Sequence, residues 1–154
     1  MLNNYAWMKK PETFGKDERL SSRKPISVLF KKGTNLYRFP FRLVFLEVTD
    51  NDFPPSDGLC QVMFSVSKKN FKHAVERNRI KRLMREAYRK NKHILYQELA
   101  QQNKKLIMAI ICNGKTIPDY KQTETKIIQH LQRLIQEINE NKNEKHTNGT
   151  SSQK

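Results

Sequence analysis

The segment AVERNRIKRLMREAYRK, from Ala74 to Lys90, gathers Arg77, Arg79, Lys81, Arg82, Arg85, Arg89 and Lys90 on one short stretch, against only Glu76 and Glu86. Guanidinium groups at that density suit phosphate, which arginine grips through two parallel N–H···O bonds. Asn78, set between Arg77 and Arg79, is a poor helix-interior residue but both donates and accepts hydrogen bonds. Like charges at i, i+4 cost roughly 0.2–0.5 kcal/mol each in an isolated helix. A helix kept only for packing would alternate its charges, so the imbalance reads as a phosphate-binding surface.

The residue types that would let the chain cut a substrate unaided are not arranged for it. The sequence shows no pair of acids, no histidine-based triad and no closely spaced Cys/His set. His73, His93, His130 and His146 are scattered. Cys60 and Cys112 each lie in an apolar, strand-like run, as small core residues do in a reducing cytosol.

With 154 residues, the chain is one domain by length and can bury a real core. Charged residues make up 29%, mean hydropathy is −0.82, the formal charge is 30 − 15 = +15 and the pI is about 10.0. That field favours a polyanion, either nucleic acid or an anionic membrane. No run of about 18 apolar residues occurs, so no transmembrane helix is expected. The start, MLNNYAWMKKPETFGK, lacks the apolar block of a secretory signal. Membrane-surface binding is disfavoured because the basic helix uses its apolar stripe on the core. A cytoplasmic location is expected.

The elements that must position the cations follow from periodicity. On a 3.6-residue helix, Ile80, Leu83, Met84, Ala87 and Tyr88 form one apolar stripe, while Arg77, Lys81 and Arg85 follow a second track and Asn78, Arg82, Arg85 and Arg89 an adjacent one. A single helix is expected from about 71 to 99. SSRKPISVLFKKG (21–33) predicts a short helix with Ile26, Leu29 and Phe30 on one face, capped by Ser21 or Ser22 and ended by Gly33.

PFRLVFLEV (40–48) and LCQVMFSVS (59–67) predict strands around the polar loop TDNDFPPSDG, and Phe39 to Val48 has room for a bend that makes more than one strand. In the second, Cys60, Val62, Phe64 and Val66 point one way, and Gln61, Met63, Ser65 and Ser67 the other. One sheet face is therefore core, and the opposite face is semi-polar. KLIMAIIC (105–112) is apolar on both faces, as an inner strand is, and Ile127, Ile128, Leu131, Leu134, Ile135 and Ile138 recur at helical spacing beyond it. Residues 1–13 are expected to be a flexible arm, 14–138 the folded domain and 139–154 a disordered polar tail.

FSVSKKNFKHAVERNRIKRLMREAYR (64–89) closely resembles the signature of the bacterial ribonuclease P protein family. The matching positions are Ser67, Lys68, Lys69, Ala74, Val75, Arg77, Asn78, Arg79, Lys81, Arg82, Arg85 and Glu86. Phe14, Lys16, Arg19, Leu20, Phe30 and Gly33 resemble it upstream, so the likeness spans roughly 14–138. The resemblance implies an α+β fold, with a small mixed sheet in α-β-β-β-α-β-α order and a left-handed βαβ crossover (the ribosomal protein S5 domain 2-like class).

It also implies the catalytic RNA of ribonuclease P and precursor tRNA as partners, with no membrane and no obligate protein partner. The implied activity is removal of the 5′ leader, an endonucleolytic reaction whose chemistry is carried by the RNA with Mg2+ bound mainly there. Carried over by position, Lys68, Lys69, Arg77, Asn78, Arg79, Lys81, Arg82, Arg85 and Arg89 face RNA. Phe30, Lys31, Phe41 and Ser65 line a cleft for the single-stranded leader. No residue is assigned to catalysis or to metal. Ile26 departs from the family, standing where many relatives carry phenylalanine, as does Asn70-Phe71-Lys72-His73, which replaces a stretch that usually holds glycine or a short polar residue.

Two rivals share the charge. A basic RNA- or DNA-binding module, ribosomal or regulatory, would bind without stimulating precursor-tRNA cleavage. A self-sufficient nuclease would act with no RNA subunit and would depend on an acid such as Glu76 or Glu86.

Overall fold

Three apolar runs, 41–48, 60–66 and 105–112, lie side by side in a computed structural model that describes residues 14–49 and 59–151, with side chains to residue 141. A 3₁₀ turn, Lys16–Glu18, leads into α1 (Arg23–Lys32), β1 (Thr34–Arg38), β2 (Phe41–Val48) and β3 (Cys60–Val66). Helices α2 (Ala74–Asn91) and α3 (His93–Gln102), strand β4 (Lys105–Cys112) and α4 (Tyr120–Ser151) follow. The strands stand in the order β1-β2-β4-β3. Strand β2 is antiparallel to both β1 and β4, while β3 is parallel to β4. A parallel neighbour requires a crossover, and α2 and α3 supply it.

Strand β4 is central and covered on both faces, so Leu106 through Ile110 are all buried, as its unbroken apolar run predicts. One face carries Leu43, Phe45, Val62, Met108 and Ile110 against Ile80, Met84, Leu95, Leu99, Leu131 and Leu134 of the three later helices. The other carries Val44, Ile107 and Ala109, clustered with Leu20 and Leu29 at α1. Gly33 ends α1 with its N–H on the Leu29 carbonyl at 2.7 Å. A Cβ there would lie 2.7 Å from Val44 Cγ1, so only glycine lets the chain turn so close to the sheet.

Four expectations change. The strand expected at 40–48 is the second arm of a hairpin, with β1 before it and the turn at Phe39-Pro40. The helix expected over 71–99 starts at Ala74 and is divided at Lys92, where a buried ion pair fixes the junction. The order therefore gains a helix, to α-β-β-β-α-α-β-α. The polar tail expected from Asn139 is helical to Ser151; the sequence offers no proline or glycine between Pro118 and Gly149 to stop it. The arm at 1–13 and residues 152–154 lie outside the described residues.

Lys92 and Glu18 are almost fully buried. The Lys92 ammonium donates to Glu18 Oε1, which also accepts the Tyr96 hydroxyl at 2.6 Å. Phe14, Phe64 and Tyr88 stack edge-to-face beside them, with centroids 5.8–6.0 Å apart. The segment before α1 is thereby fixed onto β3, where the Leu20 N–H also donates to the Val62 carbonyl at 3.0 Å.

Candidate nucleic-acid interface

Helix α2 docks as its periodicity predicts, with Ile80, Met84, Ala87 and Tyr88 buried. The opposite side leaves Asn78, Arg79, Arg82 and Arg85 exposed and Lys81 half-buried, and Lys68, Lys69 and Lys72 are exposed just ahead of it. Two of the predicted RNA-facing arginines have structural partners. The Arg77 guanidinium donates to the carbonyls of Phe71 at 2.8 Å and Lys72 at 2.9 Å. With Phe71 buried, this clamps the entry to the helix. Arg89 donates to Glu86 at 2.6 and 3.1 Å. That hydrogen bond holds the Glu86 carboxyl below its ordinary range. The outward cations are therefore centred on Arg79, Arg82 and Arg85.

The sheet continues this surface. Register sets Tyr37 opposite Arg42, Arg42 opposite Ile111, and Ile111 opposite Ser65. The row lies on the α1 side, one step beyond the Val44–Ala109–Met63 row. Arg42, Ile111 and Ser65 remain half-buried and Tyr37 is 75% exposed, so α1 leaves this part of the face open. Arg42 is oriented by a 2.8 Å hydrogen bond to Asn35 Oδ1. At the β3 edge a cleft of about 370 Å³ is lined by Phe14, Arg19, Ser21, Met63, Phe64 and Arg85. It joins the helix cations to the sheet.

Of the predicted leader-cleft residues, Ser65 lies on the open row. Phe30, 42% exposed, and Lys31, also exposed, lie on α1. Phe41 does not belong there. Alternation along β2 turns it to the opposite face, where it is 2% exposed in the helix-covered core, and its carbonyl accepts from His130 Nε2 at 3.0 Å. Its neighbour Arg42 takes the place expected of it. The signal was an arginine inside PFRLVFLEV, since a charge in an apolar strand marks the wetter face. Tyr37 was missed because the first of the three strands that the resemblance implies was given no residues.

Among the described residues, no group of three or more His, Cys, Asp or Glu could hold a metal ion, and no helix is long and apolar enough to cross a membrane. Cys60 and Cys112 are buried free thiols. Burial pushes Cys60 up to about 12, so it is no nucleophile at neutral pH.

Fold and surface together define a basic α+β module that presents a docked cationic helix beside an open sheet face. The profile of the Ribonuclease P family matches residues 14–139, and the chain belongs to that family. It is 36% identical over 129 residues to the ribonuclease P protein component of Porphyromonas gingivalis, covering 82% of this chain and 91% of that one. To the Chlorobium phaeobacteroides protein component it is 33% identical over 130 residues, covering 80% and 86%. The fold is shared with the Thermotoga maritima ribonuclease P protein (TM-score 0.58, 24% identity, 75% of this chain and 96% of that one). It is shared equally with the Staphylococcus aureus protein (TM-score 0.58, 19% identity, 76% and 94%).

Proposed function

We propose that this chain is the protein subunit of a ribonuclease P holoenzyme, binding the catalytic RNA through α2 and the 5′ leader of precursor tRNA across the open sheet face. The observation that carries this reading is the continuity of the two surfaces: Arg85 on α2 and Met63 on β3 line one cleft.

Arg79, Arg82 and Arg85, with Lys68 and Lys69, neutralise phosphates of a folded RNA by bidentate and point-charge contacts. The row Ser65–Ile111–Arg42–Tyr37 gives an unpaired strand a cation for its backbone and an aromatic ring for a base. Phe30 adds a second exposed ring on α1. Stacking tolerates any base, because every base has a π-face, and leaders differ in sequence.

The chain's contribution to cleavage is positioning and electrostatics. In this reading magnesium is bound mainly by the RNA, where it supplies water activation and leaving-oxygen stabilisation. A cytoplasmic enzyme acting on precursor tRNA fits the charge and the buried, reduced thiols.

The test is reconstitution. The purified chain, the organism's ribonuclease P RNA and a precursor tRNA are mixed at low magnesium, and 5′ leader release should exceed that of RNA alone. Binding without stimulation would favour a general RNA-binding module. Cleavage without the RNA subunit would favour a self-sufficient nuclease.

A further inference from the structure

Tyr37 and Phe39 are 75% and 76% exposed, two aromatic rings in water at the end of β1. Beside Phe39 lies a groove of about 320 Å³, lined by Phe39, Pro40, Phe41, Gly114, Thr116, Gln122 and Lys126. That volume is in the range of small-ligand clefts, about 300–1,000 Å³. The walls are fixed: the Asn113 N–H donates to the Pro40 carbonyl at 2.8 Å, and Asn70 Nδ2 donates to the Asn113 carbonyl at 2.9 Å. A Cβ on Gly114 would lie 2.9 Å from Pro40 Cβ, so glycine allows the two loops to meet. The surroundings are cationic. Burial chiefly disfavours the charged form of nearby His130, and the charges of Arg38 and Lys126 disfavour it further, against backbone hydrogen bonds with Phe41 and Arg38.

The groove also has a place in the path of the substrate. The open row Ser65–Ile111–Arg42–Tyr37 ends on β1, one residue from the turn that carries Phe39. A single strand that followed that row past β1 would turn over the Phe39-Pro40 loop to reach the groove, whose Phe41 wall belongs to the helix-covered side of the sheet. A nucleotide offers what the groove can hold: the flat face of its base for Phe39, the base's polar edge for the Thr116 hydroxyl or Gln122 amide, and a phosphate for Lys126. A chain of net charge +15 favours that anionic occupant over a basic peptide.

We propose that this groove is a subsite for one unpaired leader nucleotide beyond the open sheet face, with Phe39 stacked on the base and Lys126 on its phosphate. The proposal rests on the leader-binding reading above and adds a position to it.

The experiment uses the holoenzyme reconstituted from the full chain and ribonuclease P RNA, with precursor tRNAs whose leaders lengthen by single nucleotides. Wild-type affinity should step up at one length beyond those served by the open row. Phe39→Ala and Lys126→Ala should each remove that step, about ten-fold for loss of the stacked ring, while Phe39→Trp keeps it. Short-leader precursors and ribonuclease P RNA alone should bind all three variants as they bind wild type. Phe39 is exposed, so its replacement should leave the thermal midpoint in place, and Lys126→Ala carries the test independently. The proposal is overturned if both alanine variants match wild type at every length, or if they weaken binding of ribonuclease P RNA alone by the same factor. If wild type gains nothing from any leader, the leader-binding reading falls as well.

Discussion

Lys92 and Glu18, 74 positions apart in sequence, are hydrogen-bonded inside the protein, and the Tyr96 hydroxyl shares the same carboxylate oxygen at 2.6 Å. The pair ties the segment before α1 to the junction of α2 and α3. It thereby sets the position of the cationic helix against the sheet. Lys92 also lies 5.3 Å from the Tyr96 ring centroid, so its charge is met from two sides.

Lys92→Met should cost about 3–5 kcal/mol of stability, because it strands a buried carboxylate. The double variant with Glu18→Gln should cost much less than the sum of the singles. Urea midpoints of the four proteins check this. A single-variant loss below about 1 kcal/mol would mean the pair behaves like an exposed one.

Arg82→Ala should weaken binding to ribonuclease P RNA without moving the thermal midpoint, and should reduce the slope of log affinity against log salt by about one. Arg77→Ala should lower the midpoint, since it releases the Phe71 and Lys72 carbonyls. Titrations at several salt concentrations, paired with melts, separate the two. An unchanged slope for Arg82→Ala would remove this residue from the RNA interface.

Phe30→Ala and Phe41→Ala should fail in different ways. The first should cost about 1–3 kcal/mol of leader-dependent affinity and little stability. The second should cost about 3–5 kcal/mol of stability, with any activity loss tracking the unfolded fraction. Comparing precursors with and without a leader distinguishes them. A defect in a fully folded Phe41 variant with leaders too short to reach the groove it helps to line would contradict its buried position.

His130 is 1% exposed. Burial, with the nearby charges of Arg38 and Lys126, holds its pKa below the ordinary 6.5, against a raising effect from backbone hydrogen bonds. The unfolded chain therefore takes up a proton before the folded one does. This contribution to stability is complete above about pH 6.5 and is lost as pH falls towards the depressed folded value. His130→Gln should flatten that part of the profile, measured by denaturant midpoints between pH 7.5 and 5. An unchanged slope would place the acid sensitivity elsewhere.

Much of this was legible because it depends on local period. The stripe Ile80–Met84–Ala87–Tyr88 and the alternation Cys60–Val62–Phe64–Val66 fixed which sides of α2 and β3 face the core, and the buried run in β4 marked the centre of the sheet. Phe41 was misplaced because carrying a role by position ignores a one-residue parity: Arg42, next to it, owns the open face. The hold of Arg77 on the Phe71 and Lys72 carbonyls was not legible, because helical projection cannot show that backbone carbonyls lie within reach. The division at Lys92 was invisible because its partner, Glu18, is brought there only by the tertiary fold. Tyr37, Arg42 and Phe39 acquire their common neighbourhood from pairing across β1, β2 and β4, which no single stretch of sequence contains.

Strand β4 sits between β2 and β3 but follows both in the chain. During synthesis the β1–β2 hairpin can close as it emerges, whereas β3 waits for Lys105–Cys112 to leave the ribosome before it gains its parallel neighbour. Until then α2 is a nascent cationic segment without the sheet on which its apolar stripe docks, and such packing supplies most of a helix's stability. The last strand to be translated thus completes both the sheet and the support on which the cationic helix rests.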